Sequence, residues 1–344
     1  MNRLRKTLEI GSSPHINSGA SVDRIMHHVL LALLPTAAFA VYLFGLAGLL
    51  TLITATASCM LTEQLHCKLN NKPSTLFDGS AAITGLIYGL TLPPGLPLWM
   101  VVIGGIVAML LGKIVFGGLG CNPFNPALVG RVFLQAAFPT SMTTWMPALS
   151  SDRFHTLPSS VLTLPFMTPS YDAVSAATPL ALMKFEGQTT ESLDLMLGLT
   201  AGSTGESCAV LILLGGLYLI ARHMMNWRIP VGIFSAVFIF SAILYSADSS
   251  YPSPMFMLFS GGLMLGAMFM ATDMVASPLT HWGCFIYGVL IGSIVVILRV
   301  WGGMPEGVMY AILLANAVSP HIDRFVQPLV FGSQKQKIRN RDAD

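Results

Sequence analysis

The chain has 344 residues, 53% of them hydrophobic, with 18 Lys and Arg against 16 Asp and Glu for a net charge of +2. Only 10% of residues are charged, where a soluble domain carries roughly 25%. This composition excludes a soluble enzyme and points to the bilayer, where helices satisfy their own backbone groups; the near-neutral balance points away from nucleic acid.

The first 24 residues form a short lead carrying Arg3, Arg5, Lys6 and Arg24. No cleavable signal peptide is read there, because the first apolar run opens only near residue 29 and continues into a second without a small-residue cleavage site. Ten apolar runs of about membrane-crossing length follow. Five lie near 25–43, 45–65, 77–93, 98–117 and 124–138, and five near 206–222, 229–247, 255–271, 283–301 and 305–320. The third, fifth and tenth are short, as tilted, broken or partly re-entrant helices would be. A long connection, 139–205, separates the two sets of five, and a basic tail, 321–344, ends the chain.

Ten crossings put both termini on one side. That side then holds Arg3, Arg5, Lys6, Arg24, Lys68, Lys72, Arg222, Arg228, Arg324, Lys335, Lys337, Arg339 and Arg341. The opposite side holds Arg153 and Lys184, with Arg299 near its boundary. Positive charge marks the cytoplasmic face, so both termini are expected there, and the 139–205 connection outside. A loop of that length is usually functional. The fold expected is an all-α polytopic membrane protein of about ten transmembrane helices. Asp78-Gly79-Ser80 before the third helix has a counterpart in Ala201-Gly202-Ser203 before the sixth. Two such halves of five would be inverted, with ligand sites where broken helices meet.

Five cysteines, at 59, 67, 121, 208 and 284, form no C-x-x-C pair. They supply neither an iron–sulfur or zinc framework nor a disulfide scaffold. Three polar segments stand out instead. In the outer loop, Asp172-Ala-Val-Ser175-Ala176-Ala177-Thr178-Pro179 surrounds a threonine with small residues, so a bulky group can reach its hydroxyl; a helix cap or loop turn is the alternative. After the fourth helix, Gly117-Gly-Leu-Gly120-Cys121-Asn122-Pro-Phe-Asn125-Pro126-Ala127 places two amides in an apolar setting, where they need partners. They suit the edge of a flavin, or a loop whose Asn residues cap the fifth helix. Asp78, opening the third helix, and Thr272-Asp273, in Met270-Ala-Thr272-Asp273-Met-Val-Ala-Ser277-Pro278, are boundary carboxylate sites that would line an ion path, cradle a flavin, or cap helices. Glu63, Lys113, Arg131, Glu206 and Arg299 are further charges in or near apolar spans, each expected to face the bundle interior with a partner the sequence does not assign.

The Asp172–Thr178 segment resembles the D-x-x-[ST]-G-A-[ST] sequence at which a flavin transferase attaches FMN to threonine. Ala176 stands where Gly is usual. The Asn122–Ala127 and Thr272–Pro278 segments are similar to G-x-G-x-N-x-x-N-P-A and T-D-x-x-[TS]-S-P elements of the same family. That family comprises membrane subunits of bacterial Rnf (Rsx) electron-transport complexes and of the sodium-pumping NADH:quinone oxidoreductase. The resemblance covers about residues 15–320, and the short lead fits the RnfD branch better than the NqrB branch of the quinone reductase. It implies a urea-transporter-like fold of two inverted five-helix repeats in a bacterial inner membrane. It implies FMN bound covalently at Thr178, by attack of the threonine oxygen on the pyrophosphate of FAD with AMP leaving. Asp172, Ser175 and Ala177 then belong to the attachment segment. A second, non-covalent flavin, riboflavin or FMN, would lie near Asn122 and Asn125, with Asp78, Thr272 and Asp273 in reach. The implied role is electron transfer between ferredoxin and NAD(H) coupled to Na⁺ or H⁺ translocation, with the A, B, C, E and G components of the Rnf complex as partners and the transferase for maturation. The alternatives are the NqrB component of the quinone reductase and a urea-transporter-like solute channel.

Overall fold

The structure, a computed structural model, describes residues 21–165, 167, 177–206, 208–248 and 250–328. All regular elements among them are helical. The first, α1, runs Val22–Leu69, capped by the Ser21 hydroxyl accepting from the Arg24 N–H at 3.2 Å. At 48 residues it would extend about 72 Å if straight, more than twice a bilayer core of about 30 Å. It is two helices that meet at Gly45, whose φ of 64° and ψ of −139° suit glycine. A Cβ on Gly48 would lie 3.5 Å from the Ala40 carbonyl, eight residues back, so the chain doubles back here. The first two apolar runs are thus a helical hairpin.

A 3₁₀ turn, Leu76–Asp78, leads into α2, Ser80–Leu90. Next come α3, Leu98–Met109, continued by a π-helical turn over Leu110–Ile114, then α4, Pro126–Ala137, and the four-residue α5, Pro139–Met142. The long connection carries two short helices, α6, Pro179–Ala181, continued by a π turn over Leu182–Glu186, and α7, Ser192–Leu197. Then follow α8, Ala209–Ala221, and α9, Arg228–Ala247. The run expected at 255–271 is broken into α10, Pro254–Phe259, α11, Leu263–Leu265, and a π turn over Gly266–Met270. The last two are α12, His281–Trp301, and α13, Val308–Phe325. Among the described residues, α1, α9 and α12 contain stretches long and apolar enough to cross a membrane.

The break in the 255–271 run has a physical cause. Ser260 is extended and Gly261 has a φ of 62°, which ends the helical ladder. Arg299 on α12 donates to the freed carbonyls of Met257 at 2.5 Å and Ser260 at 2.8 Å. Non-helical backbone at membrane depth is tolerated only where protein groups satisfy it. The same holds at the end of α2, about 17 Å long. There the Gly205 N–H donates to the Leu90 carbonyl at 2.6 Å and the Thr204 hydroxyl to that of Gly89 at 2.7 Å.

Small side chains fill the interior of α1, with Ala32, Ala40, Ala47 and Ala55 buried, while Leu31, Leu34, Ile53, Leu61 and Leu65 project outward. An exterior of large apolar side chains over an apolar interior is what a lipid-facing bundle needs.

The connections gather at two ends. At one, the Leu46 N–H at the α1 kink donates to the Arg153 carbonyl at 2.9 Å, and the Leu149 N–H to that of Leu43 at 3.1 Å. At the same end the Ser160 hydroxyl donates to the Gly95 carbonyl at 2.9 Å, before α3. Lys184, from the same long connection, donates to the carbonyls of Arg299 and Gly302 after α12. At the other end, the start of α1, the first turns of α2, the residues before α4, and the turns after α8 and after Met270 surround one cavity.

Candidate functional site

The site divides into two cavities along the length of α4. The inner one holds roughly 110 Å³ and includes Asn122, Asn125, Thr272 and Asp273 in its wall, with Ser80 and Lys113. Four residues singled out in the sequence are therefore brought together from segments about 150 positions apart. Asn125 caps α4, its Oδ1 accepting from the Ala127 N–H at 3.0 Å, while its Nδ2 donates to the Met270 carbonyl at 3.1 Å. Asn122 donates to Asp273 Oδ2 at 3.4 Å, and its own Oδ1 is buried without a partner. The Asp273 Oδ1 accepts from the Val275 N–H at 3.1 Å, and Thr272 Oγ1 donates to the Met268 carbonyl at 2.6 Å. Burial pushes the Asp273 carboxyl above its ordinary range, against the opposing pull of its hydrogen bonds from Val275 and Asn122.

Asp78 does not line the cavity. It acts one step behind: its Oδ1 accepts from the Ser80 N–H at 2.8 Å and from the Ser80 hydroxyl at 2.7 Å. Lys113, on the π turn after α3, donates to Ser80 Oγ and to Glu63 Oε1, each at 2.6 Å. Glu63 comes from the second half of α1, and Thr75 Oγ1 donates to it at 2.9 Å. The chain Asp78–Ser80–Lys113–Glu63 thus sets a buried ammonium in the cavity wall. The sequence marks Glu63 and Lys113 as charged residues in search of partners; the pairing across 50 positions is a product of packing.

The outer cavity holds roughly 480 Å³ and is lined by Ala177 and Thr178, with Gln135, Trp145, Phe185 and Met304. Thr178 is 2% exposed. It is the N-cap of α6, its Oγ1 accepting from the Ala181 N–H at 3.3 Å, and Pro179 occupies the first helical position. The cap expected as the alternative is therefore present, and the same residue also faces the cavity. Asp172 and Ser175 lie outside the described residues. Lys184, whose pKa partial burial lowers, ties the segment after Thr178 to the end of α12. Trp145 and Glu306 have no motif around them in the sequence and emerge only from the geometry. No group of three or more metal-ligating side chains occurs among the described residues.

A family model described as NQR2, RnfD, RnfE family matches residues 9–332. The chain is 41% identical over 337 residues to the D component of the proton-translocating ferredoxin:NAD(+) oxidoreductase complex of Clostridium ljungdahlii, covering 95% of this chain and 96% of that one. It is 40% identical over 341 residues to the D component of the Na(+)-translocating ferredoxin:NAD(+) oxidoreductase complex of Acetobacterium woodii, covering 98% of each. With the D component of the ion-translocating oxidoreductase complex of Yersinia pseudotuberculosis it shares 38% identity over 345 residues, covering 94% of this chain and 98% of that one. A match of this length and level is membership, and the chain belongs to the NQR2, RnfD, RnfE family.

Proposed function

We propose that the chain is the RnfD component of an Rnf-type ion-translocating ferredoxin:NAD oxidoreductase in a bacterial inner membrane. In this reading it crosses the membrane ten times in two inverted halves, with both termini cytoplasmic. It carries FMN covalently on Thr178 and a second flavin, riboflavin or FMN, in the inner cavity. The names and near-complete coverage of its relatives support the assignment.

One observation carries the cofactor reading. Asn125 and Pro126 line the inner cavity, and Gln135, on the same helix, lines the outer one beside Thr178. Ten residues of helix place the two about 15 Å apart. The outer cavity has the size of a small-molecule site, and both have a mixed polar and apolar lining. In the inner one, the orphaned Oδ1 of Asn122 is an acceptor awaiting a donor such as a flavin ring N–H. Met268 and Phe269 offer apolar surface to a ring system, and Lys113 favours negative charge beside it. In the outer one, Trp145 and Phe185 offer flat surfaces within the cavity that Thr178 faces. A bound flavin supplies one- and two-electron chemistry; the chain holds it, orients it and insulates it. Between the cavities stands the ion pair of Arg131 and Glu306, 2.5 Å apart, which favours an insulated redox support over an open solute channel. The other components of the complex, A, B, C, E and G, supply the remaining redox centres, and a flavin transferase loads Thr178.

In-gel fluorescence tests the attachment. The protein co-expressed with the transferase is run denatured, and flavin fluorescence is expected in its band and absent from Thr178→Ala. A dark band from the unmodified protein sinks the covalent flavin, and a mass increment on a peptide lacking Thr178 sinks the site.

A further inference from the structure

Between the two cavities lies a third, smaller one of roughly 20 Å³, room for about one water, that the proposed flavins do not use. Arg131, Ser203, Arg299 and Glu306 line it, with Thr91 and Leu128. Arg131 and Arg299 are 6% and 5% exposed. Glu206 approaches from across Gly262, a wall residue whose added Cβ would lie 3.6 Å from Glu206 Oε1. It interacts electrostatically with Arg131 and Glu306, and Arg299 with both carboxylates. These are two acids and two bases packed where the broken helices meet.

The pairing is incomplete on both sides. The Nε atoms of Arg131 and Arg299 are buried donors without a partner, and Glu206 Oε1 and Glu306 Oε1 are buried acceptors without one. Buried donors and acceptors left bare are costly, so something occupies the space between them. A metal cation there is repelled by two guanidiniums and leaves the Nε donors unmet. An anion is repelled by two carboxylates. Water is neutral, donates and accepts, and is the usual partner of buried polar groups of this kind.

The position of this cavity matters as much as its contents. Along α4, Asn125 and Pro126 face the inner cavity, Leu128 and Arg131 the middle one, and Gln135 the outer one. Glu306 lines the middle and outer cavities together. On the inner side, Met270 lines the middle cavity while its carbonyl accepts from Asn125. Carboxylates joined by water between two openings are the parts of a proton relay.

We propose that Glu206 and Glu306, held in place by Arg131 and Arg299, form a water-containing proton-exchange site midway between the inner and outer cavities. A proton carried by water passes to a carboxylate oxygen, giving a neutral carboxyl and leaving water behind. Release to water on the other side restores the carboxylate. No electrons move in either step. The site stands on the chain's own charges and needs no flavin; only its link to electron transfer rests on the function proposed above.

Infrared spectroscopy of the purified complex tests it without relying on redox activity. At pH 7 exposed carboxylates are ionised, so a carboxylic-acid C=O band reports buried acids. The unmodified protein is expected to show such a band, shifted in D₂O, that Glu206→Gln removes or that the charge-neutral pair Arg131→Met with Glu306→Gln removes. In-gel flavin fluorescence is expected to be unchanged in Glu206→Gln, a residue that lines neither flavin cavity, which separates this result from a failure of the flavin reading. Absence of the band from the unmodified protein overturns the proposal. So does its persistence in both variants, or its loss on adding Na⁺, which would make the site a cation site.

Discussion

Lys113 carries an ammonium that is 3% exposed, held by Glu63 and Ser80 at 2.6 Å each. Removing one member of a buried ion pair strands the other charge, at a cost of about 3–5 kcal/mol. Glu63 Oε2 already lacks a partner, and only the neutral Thr75 hydroxyl would remain on Oε1. Lys113→Met is therefore expected to lower the thermal unfolding midpoint of the detergent-solubilised protein sharply, and Lys113→Met with Glu63→Gln to recover most of it. A single variant as stable as the parent sinks the pairing. The residue scale also shows what sequence can and cannot convey. Asn122, Asn125, Thr272 and Asp273 stand out because amides and carboxylates are costly in an apolar chain, and cost implies purpose. Their meeting around one cavity is hinted at only by the matched polar breaks after the fourth and eighth apolar runs. Glu63–Lys113 and Arg131–Glu306 are invisible in the sequence, because contacts between residues 50 and 175 positions apart are fixed by how helices cross.

The same contrast holds among elements. Each of the ten apolar runs coincides with helix, because periodicity and length are local properties. Their interruptions are unequally legible: the kink at Gly45 falls between the runs read at 25–43 and 45–65, whereas the break at Ser260–Gly261, inside the run read at 255–271, depends on a distant partner, Arg299. Helix contacts are set by glycine where α9 and α12 cross. Gly288 and Gly292 form a G-x-x-x-G pair on α12, and Gly232 faces them from α9. A Cβ on Gly288 would lie 2.5 Å from the Ile229 carbonyl, and one on Gly292 2.6 Å from that of Ile233. Such close backbone approach is how membrane helices associate without a hydrophobic driving force. Gly288→Ala forces the helices apart, and overpacking of this kind costs about 1–3 kcal/mol. Gly303→Ala is the control, since nothing lies within 4 Å of its added Cβ. Thermal unfolding is expected to separate the two variants, and equal midpoints refute the crossing.

At the scale of the whole molecule, the connections sort into two ends, and the charges sort with them. The long connection touches the α1 kink, the segment before α3 and the turn after α12. These are the turns that an alternating path of ten helices puts on one side. The start of α1, the first turns of α2, the residues before α4 and the turns after α8 and Met270 surround the inner cavity at the other end, where most Lys and Arg residues of the connections lie. This two-ended arrangement supports an inner end in the cytoplasm, and it gives the cysteines a use as topology reporters. Cys121 is exposed, beside the inner cavity, and the other four are buried. Gln188 is exposed in the long connection, ten residues beyond Thr178. A membrane-impermeant maleimide applied to intact spheroplasts is expected to label Gln188→Cys and to spare Cys121 until the membranes are opened. Labelling of Cys121 in sealed spheroplasts with protection of position 188 would invert the molecule. Thr178 would then face the cytoplasm, where flavin is replenished, and the physical reason for tethering it covalently would be gone.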